Sequence, residues 1–159
     1  MYLLKQNAEI ATMHLEKGQN LDGFIQSGIN RLSSMQTDSG GLGFWPGARS
    51  SYAYGSVYAL HFLTLVKNGR DIELPAKNME DLQNYVRKIS RDWSENSESS
   101  LYQRAYAVYV LALGGDNEAL QQVQRFDTVK LPRSARFLLA AALSVNGESA
   151  DRVKLYLSN

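Results

Sequence analysis

One histidine of this sequence lies beside two tyrosines at helical spacing. His61 follows Tyr58 by one helical turn and Tyr54 by two, within a strongly apolar stretch. A histidine and a tyrosine on one helix face can act as an acid–base pair, as a toroid-fold polysaccharide lyase would require. A histidine in such apolar surroundings is more often a core side chain whose nitrogens are hydrogen-bonded, and this is our first interpretation of His61. The second histidine, His14, is interpreted as solvated. His61, Tyr54 and Tyr58 remain the alternative catalytic set.

The carboxylates come in pairs, but none has the setting of a catalytic pair. A glycosidase needs two acids facing one cleft, one of them in apolar surroundings that raise its pKa. Here every pair falls in a polar turn or on a one-faced helix, which predicts helix-start and solubilising charges. The pairs are Asp71 with Glu73, Glu80 with Asp81, Asp92 with Glu95 and Glu98, and Asp116 with Glu118. We therefore predict no catalytic group and no enzyme activity.

Composition excludes several other kinds of site. The chain has no cysteine, so disulfides, thiolate metal sites and a cysteine nucleophile are excluded. Two histidines without a carboxylate at ligand spacing argue against zinc, and we expect neither metal nor cofactor. With 17 basic and 16 acidic residues, bulk charge indicates no nucleic-acid partner. The start of the sequence lacks a signal-peptide pattern, and no apolar run predicts membrane contact.

A glycine-rich segment is the most distinctive part of the sequence. It runs over residues 36–47 as QTDSGGLGFWPG, with glycines at 40, 41, 43 and 47. Glycine at this density allows sharp turns, and Phe44 and Trp45 offer large apolar anchors, so we predict a pinned loop between two helices. A phosphate cradle is the alternative, but the G-x-G-x-x-G spacing, a preceding strand and a following Lys-Ser/Thr are all missing.

Aromatic residues gather in and after this loop. They could line a ligand pocket, although core packing is the first interpretation. If the region binds a partner, Phe44, Trp45 and Tyr52 are the predicted binding residues. The whole set is Phe44, Trp45, Tyr52, Tyr54, Tyr58 and Phe62.

The elements that would position these residues are helices throughout. Apolar spacing and capping residues predict about eight of them and no strand, hence an all-α fold. We expect Asn20, Ser51, and Ser99 or Ser100 to cap helices, Pro75 and Pro132 to lie in first turns, and Gly69 to follow a helix end. The predicted helices cover about 2–16, 21–35, 52–68, 75–89, 100–113, 117–124, 132–145 and 149–157.

Helices that are apolar all round alternate with helices that have one apolar face. The apolar helices contain Val57–Leu63, Ala105–Leu111 and Ala135–Leu143, which form a weak internal repeat. Two concentric layers require this alternation, because an inner helix packs on both sides and an outer helix faces water. We predict helical hairpins arranged as an α/α toroid, or an incomplete ring of one, rather than a four-helix bundle. An incomplete ring would expose apolar stripes, which predicts a homodimer or marginal stability.

Two adjacent sequence stretches resemble a known family. LSSMQTDSGGLGFWPG at 32–47 and SSYAYGSVYALHFL at 50–63 are similar to the thioester-domain region of bacterial alpha-2-macroglobulin-like, or complement-like, proteins. That region has a QxxDGGF-like loop with a WPG before a tyrosine-rich helix start. The similarity is good over 21–67 and extends beyond it only as a pattern. Prenyltransferases and triterpene cyclases share a looser form of the loop, but the Trp-Pro-Gly favours the macroglobulin branch.

The resemblance implies a large protease trap in the bacterial periplasm or cell envelope. In such proteins cleavage of a bait segment triggers a conformational change, and a Cys–Gln thioester then captures the protease. The thioester cysteine is absent from this chain, so the resemblance implies that the motif lies upstream of Met1 or that the parent lacks it. Residues 2–5 resemble the stretch shortly after that motif. No residue around 47–50 matches the histidine that assists acyl transfer in some complement relatives.

Residues 1–159 are therefore predicted to form one helical domain, a fragment of a larger toroid domain in a multidomain parent. Its predicted role is a non-enzymatic scaffold, with proteases as targets of the parent and β-rich domains as neighbours. The alternatives are a toroid-fold polysaccharide lyase or glycosidase, and a helical-repeat interaction module.

Overall fold

Helices make up the secondary structure of the described chain. The computed structural model describes residues 20–69, 71–92, 97–127 and 129–158. The first predicted helix, His14 and Glu95 lie outside these ranges. Within them the all-α prediction is confirmed, and the only extended pairing is a single bridge between Gln36 and Leu42. The seven helices are α1 Leu21–Ser34, α2 Ala53–Gly69, α3 Ala76–Asp92, α4 Glu98–Leu113, α5 Ala119–Gln124, α6 Arg133–Val145 and α7 Ala150–Leu157.

The chain forms two compact units, and the boundary between them falls inside α3. The first unit ends at Leu82 and the second begins at Gln83. The first therefore holds α1, α2 and the start of α3, and the second holds the rest of α3 with α4 to α7. The predicted one-faced character of α3 is confirmed, because Leu82 and Val86 are buried while Glu80 and Lys88 are exposed.

Helix α1 begins where its capping residue predicts. The Asn20 side-chain oxygen accepts a hydrogen bond from the Gly23 backbone N–H at 2.5 Å, which satisfies one free donor of the first turn. Ile25 and Ile29 on its apolar face are buried. Phe24 belongs to the same apolar pattern, yet its side chain is exposed.

Helix α2 has more buried residues than α1, but its two ends differ from the prediction. It begins at Ala53, where the Tyr52 carbonyl accepts from the Ser56 N–H, so Ser51 does not occupy the cap position. Gly69 is its last residue and lacks the positive φ of a glycine beyond a helix end. Its buried residues are Ser56, Val57, Ala59, Leu60, Leu63, Thr64 and Val66.

Helix α4 is the core of the second unit. Its N-cap is Ser97, whose hydroxyl accepts from the Ser100 N–H at 3.3 Å, so the predicted caps Ser99 and Ser100 lie inside the helix. Apolar residues on nearly every side of α4 are buried, as predicted for an inner helix. Helix α6 packs against both α4 and α7. None of the helices within the described ranges has the length and apolar character needed to cross a bilayer.

Helices α4 and α6 of the second unit end with the same glycine-containing hydrogen-bond pattern. Gly115 and Gly147 have φ of 78° and 74°, which a residue with a Cβ adopts only with strain. The N–H groups of Asp116 and Glu148, which follow these glycines, donate to Leu111 and Leu143 carbonyls one turn back. This is the Schellman pattern, and it confirms the predicted stops after α4 and α6.

Asp116 corrects the interpretation of the acidic pairs as solubilising groups. Its side chain is 2% exposed, and one of its oxygens accepts from Arg87 Nε at 2.9 Å and Nη2 at 2.6 Å. Its other oxygen accepts from the Glu118 N–H at 2.8 Å, and Glu118 itself pairs with Arg91. Asp116 directly follows Gly115, the glycine that ends α4. Through its bonds to Arg87 and Glu118, its carboxylate joins α3 to the start of α5.

Candidate functional site

The glycine-rich segment folds into a tight turn closed by its own backbone. The Gly40 N–H donates to the Thr37 carbonyl at 2.9 Å, and the Thr37 N–H donates to the Gly41 carbonyl at 2.9 Å. Outside this turn, the Gly43 N–H donates to the Met35 carbonyl at 2.9 Å. These bonds satisfy backbone groups that the turn would otherwise leave unpaired.

Gln36 connects this turn to the first turn of α3. Its amide nitrogen donates to the Gly40 carbonyl at 3.0 Å and to the Asn78 carbonyl at 2.9 Å. Its amide oxygen accepts from Asn78 Nδ2 at 2.5 Å. Gln36 therefore uses both ends of its amide to join the loop to a helix distant in sequence.

A second set of hydrogen bonds connects the loop to the start of α2. The Ser51 hydroxyl lies 2.6 Å from the Thr37 hydroxyl and 2.7 Å from the Ser39 hydroxyl. The Leu42 N–H donates to Ser56 Oγ at 2.8 Å, and the Tyr52 N–H donates to the Leu42 carbonyl at 2.7 Å. The pinned loop predicted from the sequence is thus confirmed, and Ser51 fixes the loop instead of capping α2.

Both the backbone angle and the surroundings of position 40 require a glycine. Its φ is +86°, and a Cβ placed there would lie 2.6 Å from the Asp81 carbonyl oxygen. Gly40, Gly41 and Gly43 are all buried. A cradle needs backbone N–H groups that face a ligand, so burial of these glycines argues against the phosphate alternative.

The loop presents three aromatic rings at its surface, which we call the aromatic platform: Phe44, Trp45 and Tyr52. The Phe44 and Tyr52 rings stack with centroids 4.3 Å apart, and the Trp45 ring lies 6.2 Å from Phe44. The three residues are 63%, 64% and 40% exposed, respectively. Gly55, one turn into α2, lies under Tyr52, because a Cβ there would fall 2.6 Å from the Tyr52 ring.

Core packing, our first interpretation of these aromatics, is wrong for the platform. Phe44 and Trp45 do not anchor the loop, because hydrogen bonds and buried Leu42 do so. Tyr58 on α2 is also exposed, while Tyr54 and Phe62 are partly buried. Large apolar side chains held exposed on a rigid support are typical of an interaction surface.

The three residues of the alternative catalytic set all lie on α2, in different surroundings. His61 is partly buried, and desolvation lowers its pKa, which keeps the imidazole neutral at physiological pH. Tyr58 faces solvent, and Tyr54 lies near the platform, with its ring 6.4 Å from that of Tyr52. Among the described residues, no group of three histidines or carboxylates could hold a metal ion.

A buried arginine in the second unit carried no sequence signal of its own. Arg104 on α4 is 8% exposed, and its guanidinium lies over the Phe126 ring at 4.9 Å from the centroid. Burial, and secondarily the charge of Arg125, lower the pKa of Arg104. Because Phe126 lies far along the chain, only the tertiary structure brings this cation–π pair together.

Comparison with known proteins relates this fold to one group of structures. Native Escherichia coli alpha-2-macroglobulin, in a crystal structure from domain MG7 to the C-terminus, matches 96% of the chain at a TM-score of 0.75 and 19% identity. Salmonella alpha-2-macroglobulin reacted with methylamine matches 86% at 0.70 and 22% identity. The trypsin-activated Escherichia coli protein matches 83% at 0.66 and 20% identity. No protein-family model and no curated protein matches the sequence.

These matches identify the helical fold predicted from the loop and the helix that follows it. The chain covers 25% of the truncated Escherichia coli structure, 9% of the Salmonella protein and 10% of the trypsin-activated protein. Its helical-hairpin packing is of the α/α-toroid kind. At identities of about one fifth, the likeness establishes a common fold and not a common activity.

Proposed function

We propose that this chain is a non-enzymatic scaffold segment of a bacterial alpha-2-macroglobulin-like protease trap. Residues 1–159 would form part of its helical toroid domain, and the parent protein would work in the periplasm or cell envelope. Proteases would be the targets of the parent. The reactive thioester, where the parent has one, would be supplied from outside this chain.

The observation that carries the proposal is the fold likeness to bacterial alpha-2-macroglobulins over nearly the whole chain. The aromatic platform adds a reason for the scaffold role, because three exposed rings on a rigid loop suit a protein contact. We propose that Phe44, Trp45 and Tyr52 pack against a neighbouring β-rich domain of the parent. The pinned loop would limit the loss of conformational freedom on contact.

The parent reading frame gives the first test. A Cys-x-Glu-Gln motif shortly before Tyr2, within a protein that has β-rich domains on either side, is the expected result. A parent made only of helical repeats, or one that encodes a polysaccharide-degrading domain, would contradict the trap.

The second test uses the parent protein mixed with trypsin. A trap encloses the protease, so cleavage of a large protein substrate should fall while cleavage of a small peptide substrate continues. Equal inhibition of both substrates, or of neither, would contradict the proposal.

The platform contact is tested by Trp45→Ala in the same parent. Trp45 is exposed, so the variant should keep its helical circular dichroism while its domains associate less tightly in limited proteolysis. Tyr58→Ala, which removes an equally exposed aromatic outside the platform, is the matched control. A Trp45→Ala parent that kept both fold and domain contacts would exclude the platform as the contact surface.

The non-enzymatic part of the proposal is tested on a panel of glycans. No turnover is expected from the chain or its parent. Glycan cleavage that disappeared in His61→Ala would show that the chain is an enzyme.

A further inference from the structure

The second unit contains a pair of adjacent cavities near the C-terminal end of the described chain. The larger, of about 610 Å³, is lined by residues of the turn after α5 and of helices α6 and α7. The smaller, of about 310 Å³, lies between α6 and the end of α7. Arg136 and Tyr156 line both cavities, so the two are neighbours along one groove, which we call the cationic cleft.

Basic side chains dominate the polar lining of this cleft. Lys130, Arg136 and Arg152 line the larger cavity, and Arg133 joins Arg136 in the smaller one. Among the described residues that line the cleft, Asp127 is the one carboxylate. Since the whole chain has a net charge of only +1, this concentration of positive charge is local.

Two of these charged groups already have partners. Arg152 Nη1 donates to Glu148 at 2.9 Å, and the Tyr156 hydroxyl donates to Asp127 Oδ1 at 2.5 Å. Burial, with the hydrogen bond to Asp127, raises the pKa of Tyr156, so this hydroxyl remains a donor over the physiological range. The Tyr156 contact therefore engages the Asp127 carboxylate.

Arg136 is the basic residue that the two cavities share. Its Nε is shut off from solvent and makes no hydrogen bond within the described part of the chain. A buried donor without an acceptor destabilises the protein, whereas a hydrogen bond from a charged donor is among the stronger ones. Arg136 as a whole is only partly buried and lines both cavities, so an incoming carboxylate would meet the rest of its guanidinium and bring an opposite charge.

The remaining lining is apolar and partly exposed. Leu155 in the larger cavity is 71% exposed, and Phe137 and Leu157 in the smaller one are 47% and 45% exposed. The Arg133 guanidinium lies over the Phe137 ring at 5.3 Å, so cation and apolar surface are interleaved. A ligand that fits must therefore offer both carboxylates and apolar side chains.

We propose that the cationic cleft binds an acidic polypeptide segment in which glutamate or aspartate alternates with large apolar residues. One carboxylate pairs with Arg136 between the two cavities, and apolar side chains enter the cavities on either side. Concavities of these volumes, each with room for more than one side chain, suit a peptide better than a membrane, which would need apolar groups that protrude. The cleft is independent of the aromatic platform and of the trap proposal.

The test measures binding of a short fluorescein-labelled peptide of alternating leucine and glutamate to the full chain by fluorescence anisotropy. Arg136→Met, which keeps the volume of the side chain and removes its charge, should weaken binding about tenfold. Lys130→Gln, at an exposed position where folding is not at risk, should weaken it about two- to fivefold. Raising the salt concentration should also weaken binding.

The controls separate this site from general electrostatic attraction. Arg31→Met on α1 removes the same charge from an exposed residue of the other unit and should leave the affinity unchanged. A leucine–glutamine peptide should bind at least tenfold more weakly than the acidic one.

Three results would overturn the proposal. One is equal affinity for the neutral and acidic peptides. Another is an affinity that Lys130→Gln and a folded Arg136→Met leave unchanged. The third is binding to phosphatidylserine vesicles that depends on Arg136 in the absence of peptide binding, which would make the surface a membrane contact.

Discussion

The aromatic platform lies within one short stretch of chain, whereas the cationic cleft is assembled from separate stretches. Phe44, Trp45 and Tyr52 belong to a single loop and the helix start that follows it. The cleft needs the turn after α5 together with both α6 and α7. The first surface is therefore held mainly by local turn chemistry, and the second depends on how three elements pack.

The two surfaces also differ in what they lack. The platform stands on a hydrogen-bonded loop and exposes apolar rings, so a partner would gain from burying area. The cleft instead gathers Lys130, Arg133 and Arg136 beside apolar side chains, so a partner would gain from supplying negative charge. The platform therefore offers apolar area to a partner, and the cleft offers positive charge. Substitutions in the residues that hold each of the two units together should also change stability by different amounts.

The largest expected effect comes from the turn that supports the platform. Gly40→Ala should lower the free energy of unfolding by about 3 kcal/mol, because a Cβ is strained at this φ and meets a backbone oxygen of α3. Gly47→Ala has a similar φ but open space around it, so it should cost only about 1 kcal/mol. Urea unfolding of both variants measures the difference. Equal losses would mean that the approach to Asp81 does not matter.

A somewhat smaller loss is expected in the second unit from a contact between distant residues. Asp116→Asn removes the charge partner of Arg87 at a buried site and should cost about 2 to 3 kcal/mol. Arg87→Met combined with Asp116→Asn should recover part of this loss, because no unpaired charge is left. Urea unfolding of the two single variants and the double variant gives the three values needed, and strictly additive losses would show that the pair is not coupled.

Removing one ring of the platform should have a modest effect on stability. Phe44→Ala loses the stacking contact with Tyr52 and should cost about 0.5 to 1 kcal/mol, because the ring is largely exposed. Thermal unfolding monitored by circular dichroism provides the measurement. A loss as large as that of Gly40→Ala would show that the ring supports the loop, contrary to the proposed support by hydrogen bonds.

The smallest effect is expected from pH, through His61. Burial lowers its folded-state pKa below the ordinary value of 6.5, so the unfolded chain takes up a proton before the native one does. Stability should therefore fall as pH drops below about 6.5, down to the folded-state pKa of His61. His61→Gln should reduce this slope in urea unfolding at several pH values. An unchanged slope would assign the pH dependence to other groups.

Much of the helical framework follows from sequence, because its signals are local. Asn20, Gly115 and Gly147 act where their own backbone and side-chain preferences place them. The resemblance carried by the loop at 36–47 and the helix after it predicted the fold that the solved structures share. The capping error at Ser99 or Ser100 arose because nearby Ser97 offered a competing cap. The error at Ser51 arose because its hydroxyl bonds to the loop instead.

What sequence determined by itself was the order of helices, some of their ends and the tight loop, because each depends on residues within a few positions. Tertiary structure alone decided that Phe44 and Trp45 are exposed, that Asp116 is buried against Arg87, and that Arg136 lines two cavities. The physical reason is that burial and pairing depend on which distant elements occupy the space around a side chain. The apolar pattern of the sequence shows that an aromatic ring can be buried. Whether it is buried depends on the packing of the elements around it.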